Sequence, residues 1–202
     1  MDLLILAALV AFGVHLLKSR EQRQRIALLG SHLGHFQIEK LMENLTEGYL
    51  RALGENDAER REQIWRLLRT TELQLAEQFS RFSAEFAQVP AEEARVSRLP
   101  VAIPYANVLL PGSTFDVRQA FAIHARGIAN AADEHAGRSQ KDKAFTMSAE
   151  LFLMQHTCHW FCKSKAVASA RMLARHQTAY AQLVAAVTPA TRRAYNALVD
   201  GN

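Results

Sequence analysis

The sequence has few of the residues that build disulfide-stabilised or strand-rich proteins. Its 202 residues include two cysteines, Cys158 and Cys162, which are too few for a disulfide framework. The β-branched content is low, and no stretch shows the alternation of apolar and polar residues that is typical of a half-buried strand. All but one of the five prolines lie between positions 90 and 111, where they interrupt helices. These absences, together with a dominant helical periodicity, predict an all-α protein.

The sequence also lacks the local motifs of common enzyme classes. It contains no phosphate-binding glycine loop, no nucleophile elbow and no HExxH metalloprotease motif. Ser113 lies in Pro-Gly-Ser-Thr, a setting typical of a helix cap. There is no internal repeat or low-complexity tract, and an apolar content of 49% excludes a disordered chain. The sequence therefore favours a folded protein without catalytic activity.

The positive charge is concentrated in one short segment. The net charge is +4, and residues 18–25 contain four basic residues and one acidic residue. Residues 26–202 carry 20 basic and 18 acidic residues, a near balance. Because a nucleic-acid-binding domain needs a dense basic face, we expect no nucleic-acid partner.

The basic segment follows an apolar run from Leu3 to Leu17, in which His15 is the only strongly polar residue. Fifteen helical residues span about 22 Å, whereas a bilayer core is about 30 Å thick. The span is therefore short, although the stem of Lys18 can extend it. We predict that residues 1–19 are a single-pass anchor that contacts the lipid bilayer through residues 3–17.

Two alternatives compete with a membrane anchor. A secretory signal peptide requires a positive N-terminal region and a small-residue cleavage site, but Asp2 is acidic and no such site precedes the basic segment. A core helix of the domain is the other alternative. Because basic residues stay on the cytoplasmic side, those at 18–25 predict a cytoplasmic C-terminal domain at a bacterial-type inner (plasma) membrane.

Residues 20–202 are predicted to form one α-helical domain of four to five helices, with a proline-containing connection at 88–114. Apolar spacing predicts one helix or two collinear helices over 20–53, with Gly30 and Gly34 where the apolar face shifts. It also predicts helices over 57–87, 115–136, 141–187 and 189–199, and a short helix over 91–98.

Capping residues define several of these ends. We expect N-terminal caps at Asn56 with Glu59, Ser113 with Asp116, Ser139 with Asp142, and Thr188 followed by Pro189. Gly54, Gly137 and Gly201 are the expected C-terminal caps.

The clearest apolar face belongs to the 57–87 helix and consists of Ile64, Leu68, Thr71, Leu75, Phe79, Phe82 and Phe86. Its spacing is typical of a helix packed on a core or of a coiled-coil seam. The sequence predicts partner contacts at Ile64, Leu68, Leu75 and Phe79. The apolar segment Val101–Leu110 is expected to pack across the bundle, either in a contact with a partner or as a loop that covers the core.

One segment gathers side chains that can bind metal, namely His156, Cys158, His159 and Cys162. Cys158 and Cys162 are four positions apart, and His159 is three positions from both His156 and Cys162, so that these side chains could face one zinc ion or a haem. A fourth ligand would come from another helix, with His124, His32 or His35 as candidates. The C-x3-C spacing is not that of a zinc knuckle, and cysteine in a buried apolar helix usually acts as a small core residue.

These patterns together predict a membrane-tethered interaction or scaffold protein that binds a protein partner or itself. The alternative is a metal- or haem-binding bundle with a redox or sensing role. No cofactor is expected in the first case, and zinc or haem in the second.

Overall fold

A computed structural model describes residues 2–133, 137 and 139–201 of the chain. The helices are α1 (Asp2–Leu33), α2 (Ile38–Gly54), α3 (Ala58–Phe86), α4 (Ala106–Leu109), α5 (Val117–Ala132), α6 (Gln140–Cys162), α7 (Lys165–His176), α8 (Tyr180–Ala186) and α9 (Pro189–Asp200). A 3-10 turn, Pro111–Ser113, lies between the short strands β1 (Arg95–Ser97) and β2 (Thr114–Asp116). The predicted all-α class is confirmed, and the described residues contain nine α-helices instead of four or five.

Helix α1 continues without a break from the apolar run into the domain. It ends at Leu33, and α2 begins at Ile38, so the predicted 20–53 segment consists of two helices. Gly34 marks the break, where its amide donates to the Gly30 carbonyl at 2.9 Å. The sequence had indicated this position, because the apolar face shifts at Gly30 and Gly34.

Helix α3 forms much as its periodicity predicted. It begins at Ala58, one residue later than expected, because Asp57 is the cap and accepts a hydrogen bond from the Arg60 amide at 2.9 Å. The prediction of Asn56 as the cap was therefore wrong by one position.

An aromatic cluster forms the centre of the core between α3, α5 and α6. The Phe86 ring meets Phe121 edge-on at 5.0 Å between centroids and Phe161 at 5.9 Å. Phe79 and Phe82 of α3 pack on Phe121 as well. Edge-to-face contacts of this kind stabilise a core beyond simple burial.

The predicted helix over 91–98 is wrong. Residues Arg95–Ser97 instead pair with β2 as an antiparallel ribbon, with Val96 opposite Phe115. Both of these side chains are buried. The ribbon also moves the start of α5 to Val117, where Asp116 and not Ser113 caps the helix. Its predicted C-terminal end at 134–136 lies outside the described residues.

The predicted long helix over 141–187 is also wrong, because it is broken twice. Ser164 turns the chain after α6 and caps α7 by accepting from the Val167 amide at 3.3 Å. Gln177 then ends α7 in the left-handed conformation, with φ of +51°. Neither break contains a proline or a glycine, so the apolar pattern ran through both without a visible interruption.

Two of the expected C-terminal caps are wrong, because Gly54 is the last residue of α2 with Glu55 as its cap, and α5 ends at Ala132 with Asp133, not Gly137, as its cap. Three other caps agree with the sequence. Ser139 accepts from the Asp142 amide at 3.1 Å and starts α6. Thr188 caps α9 and Pro189 is its first residue, as expected. Gly201 ends α9 with φ of +78°, a conformation that glycine adopts without strain.

Candidate functional site

The apolar run of α1 stands clear of the domain. Every described side chain from Leu3 to Phe12 is exposed, and among residues 13–17 only Gly13 is half-buried. In the part of the chain that the structure describes, α1 is the one helix long and apolar enough to cross a membrane by length and composition. A core helix would bury its apolar side chains, and this run buries none of them.

Two paired residues of α1, Glu21 and Arg25, hold the helix on the domain just after the apolar run. Arg25 donates to Glu21 at 2.7 Å, to the carbonyl of Arg95 at 3.0 Å and to the carbonyl of Phe161 at 3.3 Å. The other Glu21 oxygen accepts the backbone amide of Tyr105 at 3.1 Å. The pair therefore joins α1 to β1, to α6 and to the loop before α4.

A second contact ties α1 to the end of α6. The Gln22 amide donates to the Lys163 carbonyl at 3.4 Å, and the Lys163 ammonium donates back to the Gln22 side chain at 3.1 Å. Because α1 is continuous, these bonds set the direction in which the apolar run leaves the domain.

An apolar groove lies at the opposite end of the domain, between α2, α6 and α8. Its volume is about 320 Å³, in the range of ligand and peptide pockets. Among the described residues its lining contains no charged side chain: Thr46, Tyr49, Leu50, Leu53, Ala144, Phe145, Ser148, Ala149, Phe152, Thr178, Leu183 and Ala186. We call this feature the distal groove.

Two large apolar side chains project beside the distal groove. Leu50 of α2 is 74% exposed and Phe145 of α6 is 58% exposed. The ammonium of Lys141 lies 5.9 Å from the centroid of the Phe145 ring, which gives the groove a polar rim. An apolar centre with a polar rim is the usual anatomy of a protein interface.

A buried ion pair supports one wall of the distal groove. Lys143 contacts Glu72 at 2.5 Å, and the other Glu72 oxygen accepts the Tyr49 hydroxyl at 2.6 Å. All three residues are buried. Burial and the negative charge of Glu72 raise the pKa of Tyr49, so this hydroxyl stays a donor. The network holds α2, α3 and α6 together under the groove.

The interaction residues predicted on α3 are mostly core residues. Leu68, Leu75 and Phe79 are buried within the domain, and Ile64 is half-buried. Partner binding through these four residues stays a prediction, but three of them have no free surface in this fold.

The segment Val101–Leu110 does not pack across the bundle as expected. Pro104 and Ala106 are buried, whereas Val101, Val108 and Leu109 face outward. The apolar character of this segment therefore lies mainly on the surface.

The predicted metal-binding residues do not converge on one point. His156 is bonded to Ser169 at 3.1 Å and stacks on Tyr180, while Cys158 lies against the sulfur of Met154 at 3.8 Å. Burial raises the pKa of the Cys158 thiol above its ordinary value and that of Cys162 to about 11, although the positive charge of Arg25 opposes the latter shift. Both shifts disfavour the thiolate form that binds metal.

Within the described residues no three His, Cys, Asp or Glu side chains are grouped as metal ligands. His159 is half-buried beside the charges of Arg171 and Arg175, and burial is the main cause of its lowered pKa. Zinc or haem binding by His156, Cys158, His159 and Cys162 stays untested, and the geometry gives it no support.

The three candidate fourth ligands lie in separate places. His124 is fully buried and bonded to Thr157 at 2.9 Å, His32 meets the edge of Phe86, and the exposed His35 lies 3.9 Å from Glu85. Thr157 also contacts the hydroxyl of Tyr195 at 3.2 Å, so His124 belongs to a buried polar network between α5, α6 and α9.

Sequence reasoning missed the distal groove. Leu50 and Phe145 belong to helices that are far apart in the sequence, and each lies outside the main apolar stripe of its helix. Their exposure is decided by the packing of α2 on α6, which no local pattern reports.

Comparison with protein-family models, with curated proteins and with solved structures found no match to this chain.

Proposed function

We propose that this protein is a membrane-tethered helical interaction protein, in which α1 is the anchor and copies of the domain associate through the distal groove. The observation that carries the proposal is the exposed apolar run of a helix that continues, unbroken, into the domain. The basic residues at 18–25 support a cytoplasmic position for the domain at a bacterial-type plasma membrane.

The exposure of the apolar run supports the anchor. Leaving a leucine-sized side chain in water costs about 1.5–3 kcal/mol relative to burial. Leu4, Leu6 and Leu9 are all exposed, and a bilayer would cover them together with the rest of the run. The apolar run at residues 3–17 is short for a bilayer core, but it is long enough to span a bilayer that thins locally around it.

The position of the distal groove supports association on the membrane. Along α6, the groove residues from Ala144 to Phe152 are 17 to 9 residues from Phe161, whose carbonyl accepts a hydrogen bond from Arg25 of α1. This separation is about 14–26 Å at 1.5 Å per residue. Since α1 is docked in one way on the domain, every anchored copy presents its groove at a similar height above the bilayer.

The chemistry of the distal groove supports a second copy as its occupant. A two-fold contact places the same patch on both partners, so each copy must supply both projections and recesses. Leu50 and Phe145 are the projections, and the groove beside them is the recess. An uncharged lining also avoids the like-charge repulsion that a two-fold contact creates when charges lie at its centre.

The anchor is tested by alkaline extraction of membranes from cells that express the full chain. We expect the chain to stay in the membrane pellet, with an intact mass that retains residue Leu3. Leu6→Asp with Val10→Asp should release it, because each acidic residue at a span centre costs about 3 kcal/mol. Leu67→Asp with Leu73→Asp, two exposed positions on α3, is the matched control and should stay in the pellet. Complete extraction of the unmodified chain, or a cleaved mature chain, would overturn the anchor.

Association is tested by sedimentation of the full chain in detergent micelles. We expect a dimer, and a shift to monomer in Leu50→Glu and in Phe145→Glu, because either change places a charge inside the apolar contact. Leu73→Glu, on the exposed side of α3, should remain dimeric. A monomeric unmodified chain would overturn self-association. So would a stable complex with a different protein that the two groove variants abolish.

A further inference from the structure

A second apolar surface lies beside α1, at the end of the domain opposite the distal groove. It is the loop of residues 99–110, which includes α4, and we call it the apolar loop. Val108 is 71% exposed, Leu109 is 65% exposed and Val101 is 60% exposed. Adjacent exposed apolar side chains of this size mark a site of contact with a partner or a membrane.

The apolar loop is held next to the start of the domain part of α1. The backbone amide of Tyr105 donates to Glu21 at 3.1 Å. Lys18 and Glu21 of α1 line one cavity with Val101, Ala102 and Ile103. Glu21 follows Leu17, the last residue of the apolar run, by four positions, which is about 6 Å along the helix.

This distance places the loop at the level of the bilayer surface. The polar headgroup region adds about 5–7 Å on each side of the hydrocarbon core. In addition, the apolar run of about 22 Å is shorter than a core of about 30 Å, so the hydrocarbon extends past one or both of its ends unless the bilayer thins. Both considerations bring lipid to the height of the apolar loop.

We propose that the apolar loop inserts into the surface of the bilayer that α1 spans, with Val101, Val108 and Leu109 in contact with lipid chains. This inference rests on the membrane anchor of the proposed function. It adds a second attachment point, so that the domain is held at the bilayer and does not swing freely on α1.

The loop is fixed in the shape that presents these side chains. Asn107 donates to the carbonyl of Glu92 at 3.2 Å, and the Ala166 amide donates to the carbonyl of Pro100 at 3.0 Å. Tyr105 adopts φ of +54°, which is strained for a non-glycine residue. The hydrogen bond from its backbone amide to the Glu21 carboxylate holds it in this conformation. Hydrogen bonds therefore hold the backbone of the apolar loop in the conformation in which these apolar side chains are exposed.

The contact is with the apolar part of the lipid more than with its charge. Glu92 and Glu93 line a cavity with Tyr105 and Asn107, and these acidic residues do not favour an anionic surface. Phosphatidylcholine, which carries no net charge, is therefore the appropriate probe.

The test places benzoylphenylalanine, a photoreactive residue that captures nearby C–H bonds, at single positions of the full chain in phosphatidylcholine nanodiscs. Position 108 reports the loop, position 9 reports the span, and position 67 is a control on α3 that is 74% exposed. Labelled lipid is then measured on the protein after illumination. We expect strong lipid capture at 9 and 108 and a several-fold weaker signal at 67.

The outcomes separate this inference from the anchor. Capture at 9 but not at 108 would overturn the loop contact and leave the anchor intact. Absence of capture at 9 would overturn the anchor and the loop contact with it. Equal capture at 67 and 108 would also overturn the assignment, because lipid would then contact the domain without preference for the loop.

A second variant tests the apolar nature of the contact. Val108→Glu with Leu109→Glu changes two exposed residues, so the fold should be retained, which circular dichroism can check. We expect lipid capture by benzoylphenylalanine at 101 to fall several-fold in this background, while capture at 9 is unchanged. Unchanged capture at 101 would contradict the proposal.

Discussion

Single residues decide how closely the helices of the core approach. Gly127 of α5 is a clear case: a Cβ atom added there would lie 2.3 Å from the carboxylate of Glu150 and 2.6 Å from the hydroxyl of Thr191. Both neighbours are buried, and Glu150 also accepts the Thr188 amide at 3.0 Å. The absence of a side chain at 127 thus allows α5 to meet α6 and α9.

We predict that Gly127→Ala lowers the free energy of unfolding by about 2 kcal/mol, because a methyl group overpacks this contact. For a chain of this size the thermal midpoint should fall by about 4–8 °C. Gly30→Ala is the control, because nothing lies within 4 Å of its added Cβ and alanine favours the helix. Thermal unfolding of both variants in micelles provides the comparison, and an unchanged midpoint for Gly127→Ala would contradict the prediction.

Two buried histidines also act at the residue scale. Burial, with a smaller contribution from the nearby His156, lowers the pKa of His124 to about 3. Burial likewise lowers the pKa of His156 to about 3, with a further contribution from Lys165. In the unfolded chain both histidine side chains titrate near pH 6.5. Above that pH both states are neutral, and below it the unfolded state takes up protons that the folded state does not.

We therefore predict that stability falls as the pH decreases from 6.5 toward 3. At pH 5 the loss should be about 2 kcal/mol for each of the two histidines. Urea unfolding of the full chain at pH 7.5 and pH 5.0 measures it. His124→Asn should flatten the dependence, whereas His35→Asn, at an exposed side chain, should leave it unchanged. A slope that His124→Asn does not alter would show that another group is responsible.

At the scale of elements, the helix ends show which signals are local. The caps at Ser139 and Thr188 each accept from the amide three residues further along the chain, so the sequence predicted them correctly. The break at Gln177 has no such signal. It is made by a residue in the left-handed region, which costs about 1–2 kcal/mol for a residue with a side chain.

Gln177→Gly should raise the free energy of unfolding by about 1 kcal/mol, because glycine adopts this conformation without steric cost. The matched change Gln74→Gly, at an exposed position inside α3, should lower it by about 1 kcal/mol. Thermal midpoints of the two variants should thus move in opposite directions. A decrease in both would mean that the turn after α7 does not need this conformation.

At the scale of the whole molecule, the two ends of the domain have different roles in our proposals. The end beside Glu21 meets the bilayer through α1 and the apolar loop. The other end presents the distal groove to a second copy. The buried network of Tyr49, Glu72 and Lys143 supports the groove, whereas the Glu21–Arg25 pair sets the direction in which α1 leaves the domain.

The charge asymmetry predicts which side of the membrane the domain occupies. Trypsin added to inverted vesicles should digest residues after Lys18, and trypsin added to sealed right-side-out vesicles should not, because basic flanks stay in the cytoplasm. A periplasmic protein digested only from the right-side-out face is the control. Protection of the domain in inverted vesicles would contradict the predicted orientation.

The sequence by itself determined the helical class, the apolar run of α1, the core face of α3 and the caps of α6 and α9. Each depends on residues within a few positions of one another, which is the range of helical periodicity and of a capping hydrogen bond. Only the tertiary structure decided the pairing of Val96 with Phe115, the breaks after α6 and α7, and the distal groove with Leu50 and Phe145 at its edge. These features depend on side chains that packing brings together from distant parts of the chain, and burial there outweighs local helix propensity.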